Sequence, residues 1–499
     1  MNEFETWDFT LNDDDIIHNC CKSFRDESIH VAFNPETLDV YLIDDSYTAI
    51  LSSNYPMTYH NLTIRLLYDY GMSIEDTKIR ISKLIKNGLL CVKNSCININ
   101  LNKDGPLKRI NNNFEAKMFY LSIVQDCNLR CPYCSAGHGR FGQPQKYMNK
   151  KIARQSLDLL FVASNDDKSR GVILSGGEPL MNLDVLYDVL EYGTLLASKN
   201  KKDIYFTFNT NGTLMTDDVI ERLSQYPVYA TFSIDGTKNI HDKFRLFPNG
   251  KGSYNLAIRN FIAYSKKMKE TKEYFHPRVQ VCLPFGKGLF KSYLNLKQLG
   301  ASLLVINPAW PSEHIKHNFG LNLDEIPNYL HEYELILEDQ IKLLELSPEG
   351  SHCFMGSTLQ SVSSLNERKI KPLGCGAANN GFAISPEGNV YPCGLFLENN
   401  KYLIGNIAGG VSADKMVAVQ QEMLNLSSKC IPCWAKSLCG AACLAMAVAQ
   451  GTQDEKEPTP YCNLFRGYME RDIIFFAKLR TKGIIYNENK WSILSTGKG

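Results

Sequence analysis

The cysteines of this chain are numerous and concentrated in two regions. Of 16 cysteines among 499 residues, three lie at positions 127, 131 and 134, and seven lie between positions 375 and 462. The N-terminus is acidic and no apolar run approaches the ~18 residues of a membrane-spanning helix, so we expect a soluble, cytoplasmic protein. Because that compartment is reducing, the clustered cysteines predict metal binding or catalysis rather than disulfides.

Charge argues against two classes of partner. Lys and Arg number 54 and Asp and Glu number 53, so there is no overall field to attract nucleic acid or an anionic membrane, and we expect neither as a partner. Residues 1–100 are acidic, with a net charge of −7. Helices at Thr63–Tyr70 and Ile74–Lys86, followed by a hairpin of Leu89–Val92 and Cys96–Leu101, predict a winged helix within a domain of residues 1–105. A structural cap and a peptide-binding module both remain open.

Strands alternate with helices from residue 115 to residue 310. This order predicts βαβ units, and six units predict an α/β fold built on a partial (β/α)6 barrel. The predicted strands are Met118–Ile123, Gly171–Leu174, Ile204–Phe208, Val228–Ile234, Val279–Leu283 and Leu303–Ile306. The predicted helices are 149–162, 182–197, 216–225, 253–268 and 287–299.

Unusual residues follow four of these strands directly. Cys127 follows the first strand, Gly176-Gly177-Glu178-Pro179 the second, Thr210-Asn211-Gly212 the third and Asp235-Gly236 the fourth. Because ligands bind at the C-terminal ends of parallel barrel strands, these loops predict one active site.

The remaining chain divides into three predicted segments. Residues 311–370 are predicted to form a helical bridge. Residues 371–470 are rich in loops and cysteines, so bound metal is expected to replace part of a hydrophobic core. A closing helix is predicted at Phe465–Leu479, and residues 471–499 are assigned to a C-terminal tail.

The first cysteine group has the spacing Cys127-x3-Cys131-x2-Cys134. Three thiolates on one short loop can hold three irons of a [4Fe–4S] cluster, which leaves the fourth iron open to another ligand. Zinc remains an alternative, because His138 is close enough in sequence to supply a fourth ligand.

These motifs together resemble the radical S-adenosylmethionine (radical SAM) superfamily. The resemblance rests on Cys127-Asn128-Leu129-Arg130-Cys131-Pro132-Tyr133-Cys134 and Ser175-Gly176-Gly177-Glu178-Pro179. It implies that the open iron binds S-adenosylmethionine, whose reductive cleavage yields a 5′-deoxyadenosyl radical. The residues it implies for cofactor binding are Tyr133 near adenine, Gly176, Gly177 and Glu178 near the methionine amine, and Ser233 and Arg245 at ribose and carboxylate. Asn211 is either a ribose contact or a turn residue.

The second cysteine group resembles the SPASM extension of radical SAM enzymes. That resemblance implies two auxiliary [4Fe–4S] clusters, hence three clusters in all. Cys375, Cys393 and Cys443 would bind the first auxiliary cluster, and Cys430, Cys433, Cys439 and Cys462 the second. Cys353 is the nearest upstream thiol to complete the first; without it, an open iron is left for a substrate thiolate. A zinc ribbon of Cys430, Cys433, Cys439 and Cys443 is the alternative.

The combined resemblance predicts a maturase of ribosomally made peptides. The winged helix would be the recognition element for the leader of a precursor peptide, and a Cys sulfur would be joined to carbon as a thioether, as in sactipeptide and ranthipeptide synthesis. A flavodoxin or ferredoxin is expected as electron donor.

Other functions remain possible from the sequence. They are carbon–carbon crosslinking, epimerisation with Cys282 as hydrogen donor, formylglycine formation as in sulfatase maturation, and an iron–sulfur winged-helix regulator. Sulfatase-maturing enzymes carry an acidic residue after the cysteine that matches Cys393, whereas this chain has Gly394. The acidic N-terminal segment disfavours the DNA-binding regulator.

Overall fold

The structure is a computed structural model, and it describes most of the chain. The described residues are 11–92, 113–163, 169–272, 275–283, 287–309, 322–348, 350, 352–371, 375–440, 443–457, 459, 461–487 and 490–493. Within these ranges no helix has the length and apolar character that crossing a bilayer requires.

The N-terminal module, residues 11–92, combines three helices with two small antiparallel sheets. One sheet has the order β5-β1-β6 and the other the order β2-β3-β4. The strands are β1 Ile16–Asn19, β2 Lys22–Arg25, β3 His30–Phe33, β4 Val40–Leu42, β5 Met57–Thr58 and β6 Leu90–Val92, and the helices are α1 Asp45–Leu51, α2 Tyr59–Tyr70 and α3 Ile74–Lys86. The predicted helix pair is present. The predicted hairpin has its first strand in β6, Leu90–Val92, while Cys96–Leu101 lies outside the described residues.

Local chemistry explains where the helices of this module begin and end. The hydroxyls of Thr58 and Ser73 accept hydrogen bonds from backbone amides in the first turns of α2 and α3. Gly71 ends α2 in the left-handed conformation, with φ of +68°, which favours a residue without a β-carbon.

Six parallel strands form the barrel wall, as predicted, and the α/β fold class is confirmed. The strands are β7 Met118–Gln125, β9 Ser169–Gly176, β10 Asp203–Thr210, β11 Val228–Ser233, β12 Arg278–Leu283 and β13 Leu303–Pro308, with the short β8 Lys146–Tyr147 antiparallel to β7. Their spatial order follows the sequence. Phe206 and Phe208 are fully buried, whereas Tyr205, which precedes Phe206, is 45% exposed. This alternation indicates that Tyr205 faces an open lumen.

Helices cover the outer surface of the barrel wall. They are α4 Lys150–Val162, α5 Leu183–Asn200, α6 Asp217–Leu223, α7 Lys238–Phe244, α8 Tyr254–Thr271 and α9 Leu289–Gln298. Five match the predicted helices within a few residues. Helix α7 was not predicted.

The segment predicted as a purely helical bridge contributes a strand to the barrel. Helix α10 spans Ile326–Leu346 and α11 spans Gly356–Glu367. Between them β14, Phe354–Met355, pairs in parallel with β13. The prediction missed β14 because a two-residue strand has no readable period.

The cysteine-rich region extends the same sheet at its other end. Strand β15 pairs in parallel with β7, so the order from the barrel continues through β15-β16-β17-β18. The strands are β15 Gly381–Ile384, β16 Asn389–Tyr391, β17 Gly405–Asn406 and β18 Gly410–Val411. The helices are α12 Ala413–Ser428, α13 Lys436–Cys439 and α14 Leu444–Gln450.

One helix crosses the predicted boundary at residue 470. Helix α15 runs from Cys462 to Thr481 without interruption, and Ile473, Phe475 and Leu479 are buried in the main core. The following strands β19, Ile484–Asn487, and β20, Lys490–Ile493, form a hairpin. The segment after residue 470 therefore begins as a core helix, because its apolar residues continue the buried face of α15.

Candidate active site

The predicted loops meet at one end of the barrel. The turn containing Gly177 lies directly on the loop that follows β7: its amide donates to the carbonyl oxygen of Val124 at 2.9 Å, and the amide of Glu178 donates to Asp126 at 2.9 Å. A β-carbon on Gly177 would lie 1.9 Å from the carbonyl oxygen of Asp126. Only glycine allows this approach, so the Gly-Gly pair has a packing reason independent of any ligand.

The three cysteines of the first group lie together on this loop. The thiol of Cys127 accepts hydrogen bonds from the amide of Leu129 at 3.4 Å and from Nδ2 of Asn211 at 3.7 Å. Burial raises the pKa of Cys127 and of Cys131 to about 12, and the neighbouring thiols of the group add to both shifts. These cysteines are therefore protonated without metal, and metal binding must displace their protons.

Glu178 supports the site through its side chain. Its carboxylate is buried and accepts hydrogen bonds from the amides of Leu180 at 3.1 Å and Asn211 at 2.7 Å and from the hydroxyl of Thr210 at 2.8 Å. Burial raises its pKa to about 7, against the lowering effect of these hydrogen bonds. The side chain ties the second loop to the third, so contact with a ligand amine is left to the backbone of Gly176–Glu178.

Asn211 acts as a turn residue that also touches the cysteine loop. Its Oδ1 accepts from the amide of Thr213 at 2.9 Å, which forms a local turn. Its Nδ2 donates to Oδ1 of Asn128 at 2.8 Å. Of the two alternatives from the sequence, the turn role is the one that these bonds support.

Arg245, which the resemblance places at the cofactor, is buried and paired with a carboxylate of the chain. Its Nε and Nη2 donate to the two carboxylate oxygens of Asp235 at 2.9 and 3.0 Å. Its guanidinium also lies over the ring of Tyr133, 5.5 Å from the centroid. Arg245 is neither a surface charge nor a free fork for a ligand carboxylate; Nη1 is the nitrogen that Asp235 leaves available.

The lumen face of the barrel is polar near these loops. The alternation of burial along the strands places Ser122, Ser175, Ser233 and Cys282 on this face. The hydroxyls of Ser122 and Ser175 are buried without a hydrogen-bond partner. Buried hydroxyls of this kind suit a polar ligand such as S-adenosylmethionine, because binding would satisfy them.

The second set of cysteines forms two groups. Burial, followed by the charges of Cys443 and Cys375, raises the pKa of Cys393 to about 12. Burial, followed by the charges of Cys430, Cys433 and Cys462, raises the pKa of Cys439 to about 12. Each thiol therefore lies near the partners that the SPASM resemblance assigns to it.

Cys353 does not join the first of these groups. Its thiol is buried beside β14, where its charged neighbours are Lys297 and Asp339, and its carbonyl oxygen accepts from Gln340 Nε2 at 3.0 Å. Strand β14 ends the sheet on the side opposite to β15. The expectation that Cys353 is a fourth ligand is not supported, because the fold holds it at the other end of the sheet order.

The donor chemistry fits iron–sulfur clusters better than single ions. Across the described ranges, no three His, Cys, Asp or Glu side chains converge closely enough to ligate one metal ion. A cubane cluster binds each thiolate at a different iron, so its ligands need not converge on one point. His138, the alternative zinc ligand, has Arg130 and Arg140 as its charged neighbours.

One functional residue was not assigned a role from the sequence. Asp235 was noted only as part of an Asp-Gly turn. The signal for Asp235 was available, because an acidic residue that directly follows a buried parallel strand lies at the ligand-binding end of a barrel.

Comparison with known proteins agrees with this geometry. The model of the Radical SAM superfamily matches residues 121–276. A cysteine-type anaerobic sulfatase-maturating enzyme of Clostridium novyi is 23% identical over 370 residues, covering 70% of this chain and 92% of that protein. The radical SAM cyclopropyl synthase TigE of Paramaledivibacter caminithermalis is 22% identical over 409 residues, covering 77% of this chain and 76% of TigE.

A solved structure shows the same fold. It is native anSMEcpe with bound AdoMet and Cp18Cys peptide, with a TM-score of 0.58 at 20% identity over 73% of this chain and 99% of that chain.

Proposed function

Starting from a chain that carries a radical SAM domain, we propose that it modifies a ribosomally made peptide by joining a cysteine sulfur to a carbon as a thioether. Cys127, Cys131 and Cys134 would hold a [4Fe–4S] cluster with one open iron. When S-adenosylmethionine binds there, the reduced cluster and the cofactor supply a 5′-deoxyadenosyl radical that removes a hydrogen atom from the peptide.

The chain's own residues shape the pocket for this chemistry. The close-packed Gly176-Gly177 turn leaves backbone groups exposed beside the cysteine loop, and Glu178 holds that turn against Asn211. Ser175 and Ser233 offer hydroxyls on the lumen face, and Tyr133 is held beside Arg245. These groups suit the amine, ribose and adenine of S-adenosylmethionine, and the lumen between them is left for the peptide.

One observation favours the thioether. Cys375, Cys393 and Cys443 form a group of three thiols, while Cys353 lies elsewhere. The segment 372–374, just before Cys375, contains no cysteine. A cubane on three thiolates has one coordination position without a protein ligand, and the thiolate of a substrate cysteine fits that position.

The net change is balanced. The peptide loses one hydrogen atom from carbon and one proton from the thiol, a carbon–sulfur bond forms, and one electron passes to an iron–sulfur acceptor. Cys430, Cys433, Cys439 and Cys462 would hold a further cluster able to accept it.

The N-terminal module supports a peptide partner. Strand β4 lies at one end of its sheet, and Leu42 on β4 and Ile74 and Ile79 on α3 are large exposed apolar side chains. An extended peptide can add to a sheet edge and place apolar side chains against such a surface. We assign leader recognition to this edge.

Epimerisation is the second candidate, and the position of Cys282 favours it. Its backbone amide is anchored to Asp235 at 3.0 Å, and its side chain packs with Tyr133 and Cys131. Burial raises the pKa of the Cys282 thiol, so the thiol keeps its hydrogen. The sulfatase-maturating relatives support formylglycine formation, but Gly394 lacks the acidic side chain expected for that reaction.

Mass spectrometry of a cysteine-containing precursor peptide separates these reactions. The peptide encoded beside this gene would be incubated anaerobically with enzyme, S-adenosylmethionine and reductant in deuterated buffer. Thioether formation predicts loss of two hydrogens per link and loss of one free thiol. Cys375→Ala should abolish the link but not cofactor cleavage, whereas Cys353→Ala, the matched control, should retain both. Deuterium gain without a link would favour epimerisation and overturn the proposal.

A further inference from the structure

Asp235 is a point of convergence at the top of the barrel. It follows β11 and is fully buried. Oδ1 accepts from the amide of Cys282 at 3.0 Å and from Nη2 of Arg245 at 3.0 Å. Oδ2 accepts from Nε of Arg245 at 2.9 Å and from the hydroxyl of Tyr133. These four donors fill the lone-pair positions that a carboxylate offers.

The four bonds join parts of the fold that are distant in the sheet. Tyr133 lies between Cys131 and Cys134 on the loop after β7, whereas Cys282 lies on β12. Strands β9, β10 and β11 separate β7 from β12 in the sheet. Asp235 therefore closes a link across the mouth of the barrel, from the cysteine loop to the far wall.

The link is rigid on both sides. The carbonyl oxygen of Asp235 accepts from the hydroxyl of Ser292 at 2.8 Å, and its amide donates to Nδ1 of His241 at 3.4 Å. A β-carbon on Gly236 would lie 2.1 Å from Oγ of Ser292, so the next residue must be glycine for the turn to pack here. Backbone and side chain of Asp235 are thus both held.

The charge of Asp235 also reaches the cysteine loop. The guanidinium of Arg245 lies over the ring of Tyr133, two residues after Cys131, so the ion pair of Asp235 and Arg245 stands beside the Cys131 thiol. The pair together leaves little net charge beside this thiol. Without the carboxylate, the buried guanidinium would stand uncompensated next to Cys131.

We propose that Asp235 is a positioning residue that preforms the S-adenosylmethionine pocket and balances the charge of Arg245 beside the cysteine loop. The inference rests on the proposed function, because it assumes that the loop holds the cluster to which the cofactor binds. Arg245 then has an indirect role. Asp235 binds Nε and Nη2 of its guanidinium and thereby fixes the positions of Nη1 and of the adjoining Tyr133 ring.

Two consequences follow from this role. Asp235→Asn replaces two acceptors by one and removes one negative charge without changing the shape of the side chain. Affinity for S-adenosylmethionine should fall about tenfold or more, the scale of losing a charged hydrogen bond. The midpoint potential of the cluster should rise, because removing nearby negative charge favours the more negative, reduced form.

The matched control is Asp188, another buried carboxylate that binds two nitrogens of an arginine. Asp188 accepts Nε and Nη2 of Arg154 at 2.9 and 2.6 Å on the outer helices. Asp188→Asn should leave cofactor affinity and midpoint potential unchanged. A second variant, Tyr133→Phe, removes one bond of the link without a charge change, so it should weaken cofactor binding and leave the potential unchanged.

The test measures the dissociation constant for S-adenosylmethionine, the midpoint potential by EPR-monitored titration, and iron per chain. Lower affinity and a raised potential in Asp235→Asn, with iron content retained, support the proposal. It is overturned if both quantities match those of Asp188→Asn, or if Asp235→Asn simply loses iron and stability together. If the unaltered protein binds no S-adenosylmethionine, the proposed function itself fails, and this inference fails with it.

Discussion

The indole ring of Trp434 packs edge-on against the ring of Phe24, with 5.0 Å between the ring centroids. Trp434 directly follows Cys433, which we propose as a ligand of the second auxiliary cluster, and Phe24 lies on β2 of the N-terminal module. Ion pairs surround this contact: Lys436 meets Glu36 at 2.6 Å, and Lys478 meets Asp26. The acidic module is therefore docked on the cysteine-rich region, so its negative charge has a structural use.

Trp434→Ala should weaken this docking and the adjacent cysteine group together. Loss of a packed aromatic side chain costs about 3–5 kcal/mol in a core, and somewhat less for this half-buried residue. We expect a lower thermal midpoint and iron loss from the second auxiliary group. Tyr68→Ala is the control, because Tyr68 is an aromatic residue of the same module that is 81% exposed. Equal midpoints and equal iron content in the two variants would contradict a shared interface.

The docking also decides how leader recognition should be tested. Deleting residues 1–105 would expose Trp434, so loss of activity would have two explanations. Leu42→Glu changes only the exposed edge of the module and should raise the dissociation constant of the precursor peptide about tenfold. Cofactor cleavage without peptide should be unchanged. Val162→Glu, at an 83% exposed apolar site on the barrel, is the matched control. Unchanged peptide affinity in Leu42→Glu would remove β4 from the recognition surface.

Arg245→Ala should destabilise the protein, which complicates its use as a cofactor-binding variant. It leaves the carboxylate of Asp235 buried and without its cation, and breaking a buried pair costs about 3–5 kcal/mol. Arg154→Ala is the control, because its side chain is 52% exposed and solvent screens such a pair, so its loss should cost little stability. Denaturant unfolding under anaerobic conditions measures the difference. If Arg245→Ala lowered the free energy of unfolding no more than Arg154→Ala does, the charge of Asp235 would be compensated in another way.

His241 predicts a specific pH dependence of stability. It is fully buried, and burial lowers its pKa to about 4. The unfolded chain, with an ordinary His pKa of about 6.5, binds a proton first as pH falls, so stability is lost from about pH 6.5 downward.

The magnitude follows from the same two values. Between pH 7.5 and 5.5 the contribution of His241 should fall by about 1.3 kcal/mol. His241→Asn removes the titrating group, so the unfolding free energies of wild type and variant should converge by that amount at the lower pH. A constant difference across this range would mean that His241 does not titrate on unfolding.

The barrel could be predicted from the sequence because the hydrophobic residues of its strands and those of its helices recur with clearly different periods. Phe206 and Phe208 alternate with polar residues, and α5 and α8 are long enough to show a helical pattern. The pairing of β15 with β7 could not be predicted, because no local feature of Gly381–Ile384 indicates which strand it pairs with. Strand β14 was not predicted, because two residues are too few to show a strand pattern.

The sequence predicted which residues lie at the candidate site better than it predicted what each side chain binds. The cysteine groups followed from spacing and resemblance, and their assignment as cluster ligands stays a prediction. Glu178 and Arg245 were predicted as ligand contacts, yet their side chains bind Asn211 and Asp235. The sequence can predict that a charged residue lies near a site. The partner of that residue depends on which strand ends lie together in the folded chain.

Replacing Cys127, Cys131 and Cys134 together by Ala tests the central claim most directly. Iron per chain should fall from about 12 to about 8, because the two auxiliary clusters remain. Formation of 5′-deoxyadenosine from S-adenosylmethionine under reducing, oxygen-free conditions should be abolished. If the triple variant still produced 5′-deoxyadenosine, or kept the full iron content, this loop would not be the site of radical formation.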